Sequence, residues 1–234
     1  ARAAAYGAAL AAAGGDAQAT EDVVDLAHSA YTSSVAISGV LALEPHGEHV
    51  VALPLELASS SGRVVRMFCH SIGYFFADIA LIFVEVGAFG RRPNMWAGRL
   101  AHHVMQAGAV LPCIFRTESP KQALALRSVL CLAYCAEFSN IFLRLSNMLR
   151  RGGRARPNIQ SALNAALALT FAASRVVNFP VAIYIFARAR HLVSPGLFKM
   201  IGGVQASAYV LNVAWFVKII KILLKPQSLP SIEC

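Results

Sequence analysis

Charged residues are scarce in this sequence. Only 14% of the 234 residues are Asp, Glu, Lys or Arg, whereas 57% are hydrophobic, and the mean hydropathy is +0.56. A soluble domain carries about a quarter charged residues, because water must solvate its surface. The scarcity of charge therefore argues against a soluble domain, and the abundance of apolar residues excludes intrinsic disorder. We expect an integral membrane protein.

Cysteines and catalytic motifs are also few. The five cysteines are an odd number spread over a long chain, which excludes a disulfide-stapled scaffold. There is no Gly-rich phosphate loop, no G-x-S-x-G turn and no H-E-x-x-H helix. No His and Cys spacing typical of a metal site is present, so we predict no metal ligands.

Basic residues give the chain a net charge of +9. They lie at the ends of apolar runs rather than on one face, which is typical of charges that flank a membrane beside anionic lipid headgroups. We therefore expect membrane lipids as partners and no nucleic acid.

Six apolar segments have about the length needed to cross a bilayer, close to or above 20 residues each. The predicted fold is an all-α membrane protein, a bundle or barrel of six transmembrane helices with a polar interior. We assign an Ala-rich N-terminal tail to residues 1–22, the membrane domain to 23–225 and a C-terminal tail to 226–234. The predicted spans are 26–43, 65–87, 97–115, 123–149, 159–186 and 197–224.

Six spans place both termini on the same side of the membrane. The excess of arginine in the loops on that side predicts that the termini face the cytoplasm, or the stroma or matrix of an organelle. The start without Met fits either simple Met removal or loss of a targeting peptide. We expect the endoplasmic reticulum or an organellar membrane of a plastid or mitochondrion. The arginines concerned are Arg91, Arg92, Arg99, Arg150, Arg151, Arg154 and Arg156.

Polar side chains recur on single faces of the predicted spans. Ionisable groups inside a bilayer need a partner or a wet cavity. They could join helices by hydrogen bonds and ion pairs, such as Glu137 or Asp78 with Arg175. They could equally line a cavity that accepts the polar part of a lipid. The candidate cavity residues are Asp78, Glu137, Asn140, Arg144, Arg175, Asn178 and Asn212, and Glu85 shares a face with Asp78.

The pair His102-His103 is the most chemically distinctive feature. Neighbouring residues on a helix point about 100° apart, so one of the two can face a site while the other orients or packs. A neutral imidazole can act as general base, nucleophile or metal ligand. The alternative is a polar helix interface. We expect His28 and His70 mainly to pack or to face headgroups.

Six short blocks, one in each predicted span, make the sequence resemble the TLC-domain family. That family includes ceramide synthases, translocating-chain-associated membrane proteins and smaller TLC-domain proteins. The blocks are Leu26-Ala27-His28, the run from Gly73 to Asp78, His102-His103, the run from Ala136 to Asn140 with Phe142 and Leu143, Ser174-Arg175 with Asn178 and Pro180, and the run from Leu211 to Phe216.

The resemblance implies a six-helix, barrel-like membrane fold with a tunnel for an acyl chain. It also implies that His102 and His103 match the acyl-transfer centre of the ceramide synthases. The family pattern continues with a His-Asp and Ser-Asp pair, for which Glu137 supplies one carboxylate while Asn140 cannot supply another, and the His is missing. This departure argues against N-acylation of a sphingoid base and favours the smaller TLC-domain proteins.

Two functions remain open from the sequence. The chain could bind, sense or modify a lipid of the acyl-chain or sphingolipid class, with an acyl-CoA or bound lipid in the bundle. As an acyltransferase it would use His102 or His103, oriented by Asp78 or Glu137, and Arg175 would bind phosphate or carboxylate. The alternative is a non-catalytic accessory subunit of a larger membrane complex, such as an organellar, energy-transducing one.

Overall fold

Helices account for most of the chain that the structure describes. The structure is a computed structural model and describes residues 17–46, 50–58, 62–87, 90, 96–115, 117–153 and 156–224. Most of the predicted N-terminal tail, residues 1–16, and the whole of the predicted C-terminal tail lie outside this part. Residues 17–22 belong to the first helix. The side chain of Glu85 also lies outside the described part.

The described part of the chain contains nine α-helices. In chain order they are α1 (Ala17–Leu41), α2 (Leu55–Ala58), α3 (Arg63–Gly87), α4 (Trp96–Phe115), α5 (Pro120–Tyr134), α6 (Phe138–Arg151), α7 (Pro157–Phe171), α8 (Asn178–Arg188) and α9 (Pro195–Leu223). A two-stranded antiparallel hairpin of β1 (Glu44–His46) and β2 (Val50–Ala52) lies between α1 and α2.

Four helical segments of the described chain are long and apolar enough to cross a membrane. They are Arg63–Val84, Pro120–Arg151, Pro157–Arg188 and Pro195–Lys221. They correspond to the second, fourth, fifth and sixth predicted spans. The first and third predicted spans form α1 and α4, which are less apolar over a continuous window. The chain is therefore a multi-pass membrane protein built from apolar helices.

Two of the long segments change their helical pitch near the middle. A 3₁₀ turn, Cys135–Glu137, joins α5 to α6, and a π turn, Ala172–Val177, joins α7 to α8. Pro180 follows the π turn and has no N–H to offer the carbonyl four residues earlier, which a wider turn accommodates. Such irregular turns often occur at functional positions, and these two carry Glu137 and Arg175.

The hairpin and α2 close one end of the bundle. Ser128 Oγ accepts a hydrogen bond of 2.8 Å from the backbone N–H of Leu53. The buried Arg127 donates to the carbonyls of Ala58 and Cys113. The bonds to Leu53 and Ala58 attach the connection between α1 and α3 to α5, and the bond to Cys113 joins α5 to α4.

Ion pairs show which helix ends meet at the opposite end of the bundle. Arg99, near the start of α4, binds Asp78 in the second half of α3. Arg151, at the end of α6, binds Asp22 near the start of α1. The starts of α1 and α4 therefore lie beside the ends of α3 and α6, as alternating helix directions require.

The contact between α1 and α5 is close enough to require a glycine. A Cβ added at Gly39 would lie 2.6 Å from the Sγ atom of the buried Cys131, whereas a Cβ at Gly73 in α3 would meet nothing within 4 Å. We expect Gly39→Ala to lower the free energy of unfolding by about 1–3 kcal/mol through overpacking. Gly73→Ala should leave it unchanged or raise it by up to about 1 kcal/mol, because Ala favours a helix.

Thermal unfolding in mild detergent measures the difference between these two variants. The double variant Gly39→Ala with Cys131→Ala should recover part of the loss, because the clashing sulfur is removed. Equal stability of the Gly39 and Gly73 variants would contradict this packing of α1 on α5.

Candidate functional site

A cavity of about 470 Å³ opens among α1, α3, α4, α6, α7 and α9. Its volume falls within the range of small-molecule sites, about 300–1,000 Å³. Polar and apolar side chains both line it. The polar ones are Asp25, His28, Ser29, Tyr74, Arg99, His102, His103, Glu137, Asn140, Arg144, Arg175 and Lys218. The apolar ones are Phe75, Leu143, Leu167, Phe171, Trp215 and Ile219.

One wall is organised around Asp78, which is 1% exposed. Arg99 binds this carboxylate in a bidentate manner, with Nε to Oδ2 at 2.7 Å and Nη2 to Oδ1 at 2.5 Å. His103 Nδ1 lies 2.9 Å from Asp78 Oδ2. Arg99 also forms an ion pair with Glu21. The Asp78 carboxylate therefore lies between Arg99 and His103, and both of these residues also line the cavity.

A second network joins α1 to α6. Arg144 Nη1 lies 3.1 Å from Asp22 Oδ1, and its Nη2 lies 2.6 Å from Asp25 Oδ2. Arg151 Nη1 lies 2.7 Å from Asp22 Oδ2. Tyr74 in α3 donates a hydrogen bond to Asp25 Oδ1. The two buried carboxylates are therefore compensated by two arginines and a phenol. Without such partners, the burial of these charges would cost too much free energy.

Arg175 occupies the deep part of the cavity, where it is 5% exposed. Its Nε donates to Ala136 O at 3.1 Å and to Ser139 Oγ at 3.0 Å. Nη1 donates to Asn212 Oδ1 at 3.1 Å, and Nη2 donates to Asn140 Oδ1 at 2.9 Å. All three of its nitrogens are bound to protein acceptors, so Arg175 ties the π turn to α6 and α9.

Asn140 lies between Glu137 and Arg175. Its Nδ2 donates to Glu137 Oε2 at 2.8 Å, while its Oδ1 accepts from Arg175. Ser29 in α1 donates to the same Glu137 oxygen at 3.3 Å. The amide therefore links the carboxylate and the guanidinium, and no ion pair joins Glu137 or Asp78 directly to Arg175 in the described residues.

Two further histidines at the cavity contact aromatic rings or another imidazole. The His28 ring is stacked on Tyr74, with centroids 3.8 Å apart and planes within 7°. His102 lies beside His103 with centroids 5.5 Å apart, and 6.5 Å from Trp215. Both His102 and His103 line the cavity, although they are adjacent in sequence. His70 stacks behind His28 and is not part of the lining.

The predicted site residues fall into three groups. His102, His103, Glu137, Asn140, Arg144 and Arg175 line the cavity. Asp78 and Asn212 lie directly behind it, hydrogen-bonded to lining arginines. Asn178 lies outside the lining, and its Nδ2 donates to Leu132 O at 2.6 Å, which joins α8 to α5.

Some residues of the site were assigned other roles from the sequence alone. Asp22 and Asp25 are not among the candidate cavity residues of the sequence analysis, and Arg99 appears there as a loop charge that orients the chain. The structure pairs each of them across the bundle. The available signal was the grouping of three acidic residues in one turn of α1 while later helix ends carry arginines.

Metal ligands do not gather in the described part of the chain. No group of three or more His, Cys, Asp or Glu side chains there could hold a metal ion. The cavity residues themselves offer imidazole and carboxylate groups, together with hydrogen-bond donors, at the edge of an apolar space.

Comparisons with known proteins agree with the helical architecture. The family model of the TLC domain matches residues 18–221, which includes every residue that lines the cavity. No curated protein and no solved structure matches the chain at a significant level.

The network of Asp22, Asp25 and Arg144 should contribute strongly to stability. Arg144→Met leaves the two buried carboxylates short of a partner, so we expect the free energy of unfolding to fall by about 3 kcal/mol. Arg150→Met on the same helix is the control. Arg150 is exposed, and within the described residues its hydrogen bonds go to Ser146 and Asn147 of its own helix, so its loss should change stability by about 0.5 kcal/mol or less.

Thermal unfolding in mild detergent, followed by tryptophan fluorescence, compares the two arginine variants. Similar losses for both would contradict the assignment of Arg144 as the partner of the buried carboxylates.

Proposed function

The chain belongs to the TLC-domain family, and from that premise we propose that it binds a lipid of the acyl-chain or sphingolipid class inside its helix bundle. In this proposal all six long helical segments cross the membrane and surround the cavity as a barrel. The termini face the cytoplasm, stroma or matrix, and the membrane is that of the endoplasmic reticulum or of an organelle. The lipid is a ligand that is held or sensed, and its modification is a second candidate.

The mixed lining of the cavity is the observation that carries this proposal. An apolar surface lies beside the buried polar networks. It is formed by Leu143, Leu167, Phe171, Trp215 and Ile219. A ligand complementary to both surfaces has a hydrocarbon part and a polar part. An acyl chain on the apolar side would bury hydrocarbon, and the polar part would replace water at the charged side chains.

The pair of Asp78 and His103 favours lipid modification as the second candidate. A carboxylate 2.9 Å from Nδ1 favours a proton on that nitrogen, so Nε2 is the nitrogen that can take a proton or attack an acyl carbon. His102 provides another imidazole at the same cavity. Asn140 donates to Glu137 and carries no carboxylate of its own, so the second carboxylate of the ceramide synthase pattern is absent here.

Tryptophan fluorescence can test lipid binding because the chain has two tryptophans. Trp215 lines the cavity, whereas Trp96 at the start of α4 does not. We expect a lipid with brominated acyl chains, added in detergent, to quench the Trp96→Phe variant with saturation at one lipid per chain. The matched Trp215→Phe variant, which keeps only Trp96, should show weak quenching without saturation.

The comparison of the two tryptophans decides between binding and partition. Equal, non-saturating quenching of both variants would mean that the lipid mixes with the detergent around the protein. That result would contradict a lipid site in the cavity.

Replacement of the histidines tests the second candidate. The double variant His102→Ala with His103→Ala should lower lipid turnover by a factor of about 100 or more, since general bases commonly contribute that much. Saturable quenching of Trp215 should persist, because it reports binding rather than chemistry. Turnover that is unchanged in the double variant would exclude the histidines as catalytic groups, and lipid binding would remain as the function.

A further inference from the structure

The four cations that line the cavity differ in how they are compensated. Arg99 is bound by two carboxylates, and so is Arg144. Arg175 is bound by four oxygen acceptors of the protein. Each of these three guanidinium groups therefore has N–H donors that are bound by protein acceptors. Lys218 is the fourth of these cations and differs from the other three.

Lys218 lines the same cavity and has no ion pair or hydrogen bond with any residue that the structure describes. It lies on α9 three residues after Trp215 and one before Ile219, two further lining residues. Positions three and four apart share a helix face, which explains how Lys218 lies with Trp215 on the cavity side of α9.

Lys218 lies at the mouth of the cavity. Its side chain is exposed although it is part of the lining. The side chains of Arg99 and Arg144 keep 24% and 26% of their area exposed. Glu137 and Arg175, in contrast, are only 7% and 5% exposed. The exposed fraction of the lining side chains therefore falls from the starts of α1 and α4 and the ends of α6 and α9 towards the middle of the bundle.

We propose that the mouth of the cavity binds an anionic headgroup, a phosphate or carboxylate, through Lys218, with the hydrocarbon of the same molecule against Trp215 and Ile219. This inference rests on the proposed lipid function and adds the charge of the ligand. An ammonium group beside an apolar surface is stabilised by an anion, and hydrogen bonds between charged groups are stronger than those between neutral groups. Arg175 is not available for this role because its nitrogens are already bound.

Lys221 on the same helix provides a matched control. It is exposed, one turn further along α9, and does not line the cavity. Both lysines can extend to lipid headgroups at the membrane surface. A general attraction to anionic membranes would therefore involve both side chains, whereas the proposed site involves Lys218 alone.

The experiment compares three probes on the full chain in neutral detergent by native mass spectrometry. Dioleoyl phosphatidic acid carries a phosphate, dioleoylglycerol has the same chains without it, and inorganic phosphate has no chains. We expect the wild-type chain to retain phosphatidic acid about tenfold better than dioleoylglycerol. Lys218→Gln should remove most of that preference, and Lys221→Gln should keep it.

Four results would overturn the proposal. Equal retention of the two lipids would show a lipid site without headgroup charge recognition. A loss of preference in Lys221→Gln equal to that in Lys218→Gln would assign the preference to the membrane surface. Retention of inorganic phosphate as strong as that of phosphatidic acid would place a free anion there instead. Retention of neither lipid would remove the proposed lipid function itself.

Discussion

Compensation of buried carboxylates is the constraint on which this bundle depends. Asp22, Asp25 and Asp78 are each at most 3% exposed, and an uncompensated charge in such a position is costly. Their partners come from other helices, so the charges can be satisfied only when α1, α3, α4 and α6 meet at the same end. Apolar packing brings the helices together, and the ion pairs select which ends are neighbours.

The cavity is a consequence of these networks. Arg99 and Arg144 hold α1, α4 and α6 around a space whose polar wall they form. Deeper in the bundle, Arg175 binds α6 and α9 from the π turn, where a regular helix would carry the side chain in another direction. His102 and His103 line the same cavity, next to its apolar surface. A lipid of matching polarity fits this arrangement better than a fully apolar ligand.

The sequence was sufficient to predict the helical membrane class and the faces that carry polar groups, because the length and polarity of a span follow from the bilayer. It was not sufficient to predict the partners. One interpretation of the sequence was that Glu137 or Asp78 pairs directly with Arg175. In the structure Asp78 binds Arg99, and Asn140 lies between Glu137 and Arg175. Periodicity identifies a face of one helix, but the neighbour of that face depends on how all helices pack.

Native mass spectrometry of the chain released gently from its own membrane tests the central claim most directly. If the cavity is a lipid site, the free chain carries one lipid-sized adduct, and fragmentation of the adduct identifies its class. A free chain without an adduct would contradict the claim. Release without lipid and only with other subunits, in constant ratio, would also contradict it and would indicate a structural component of a larger complex.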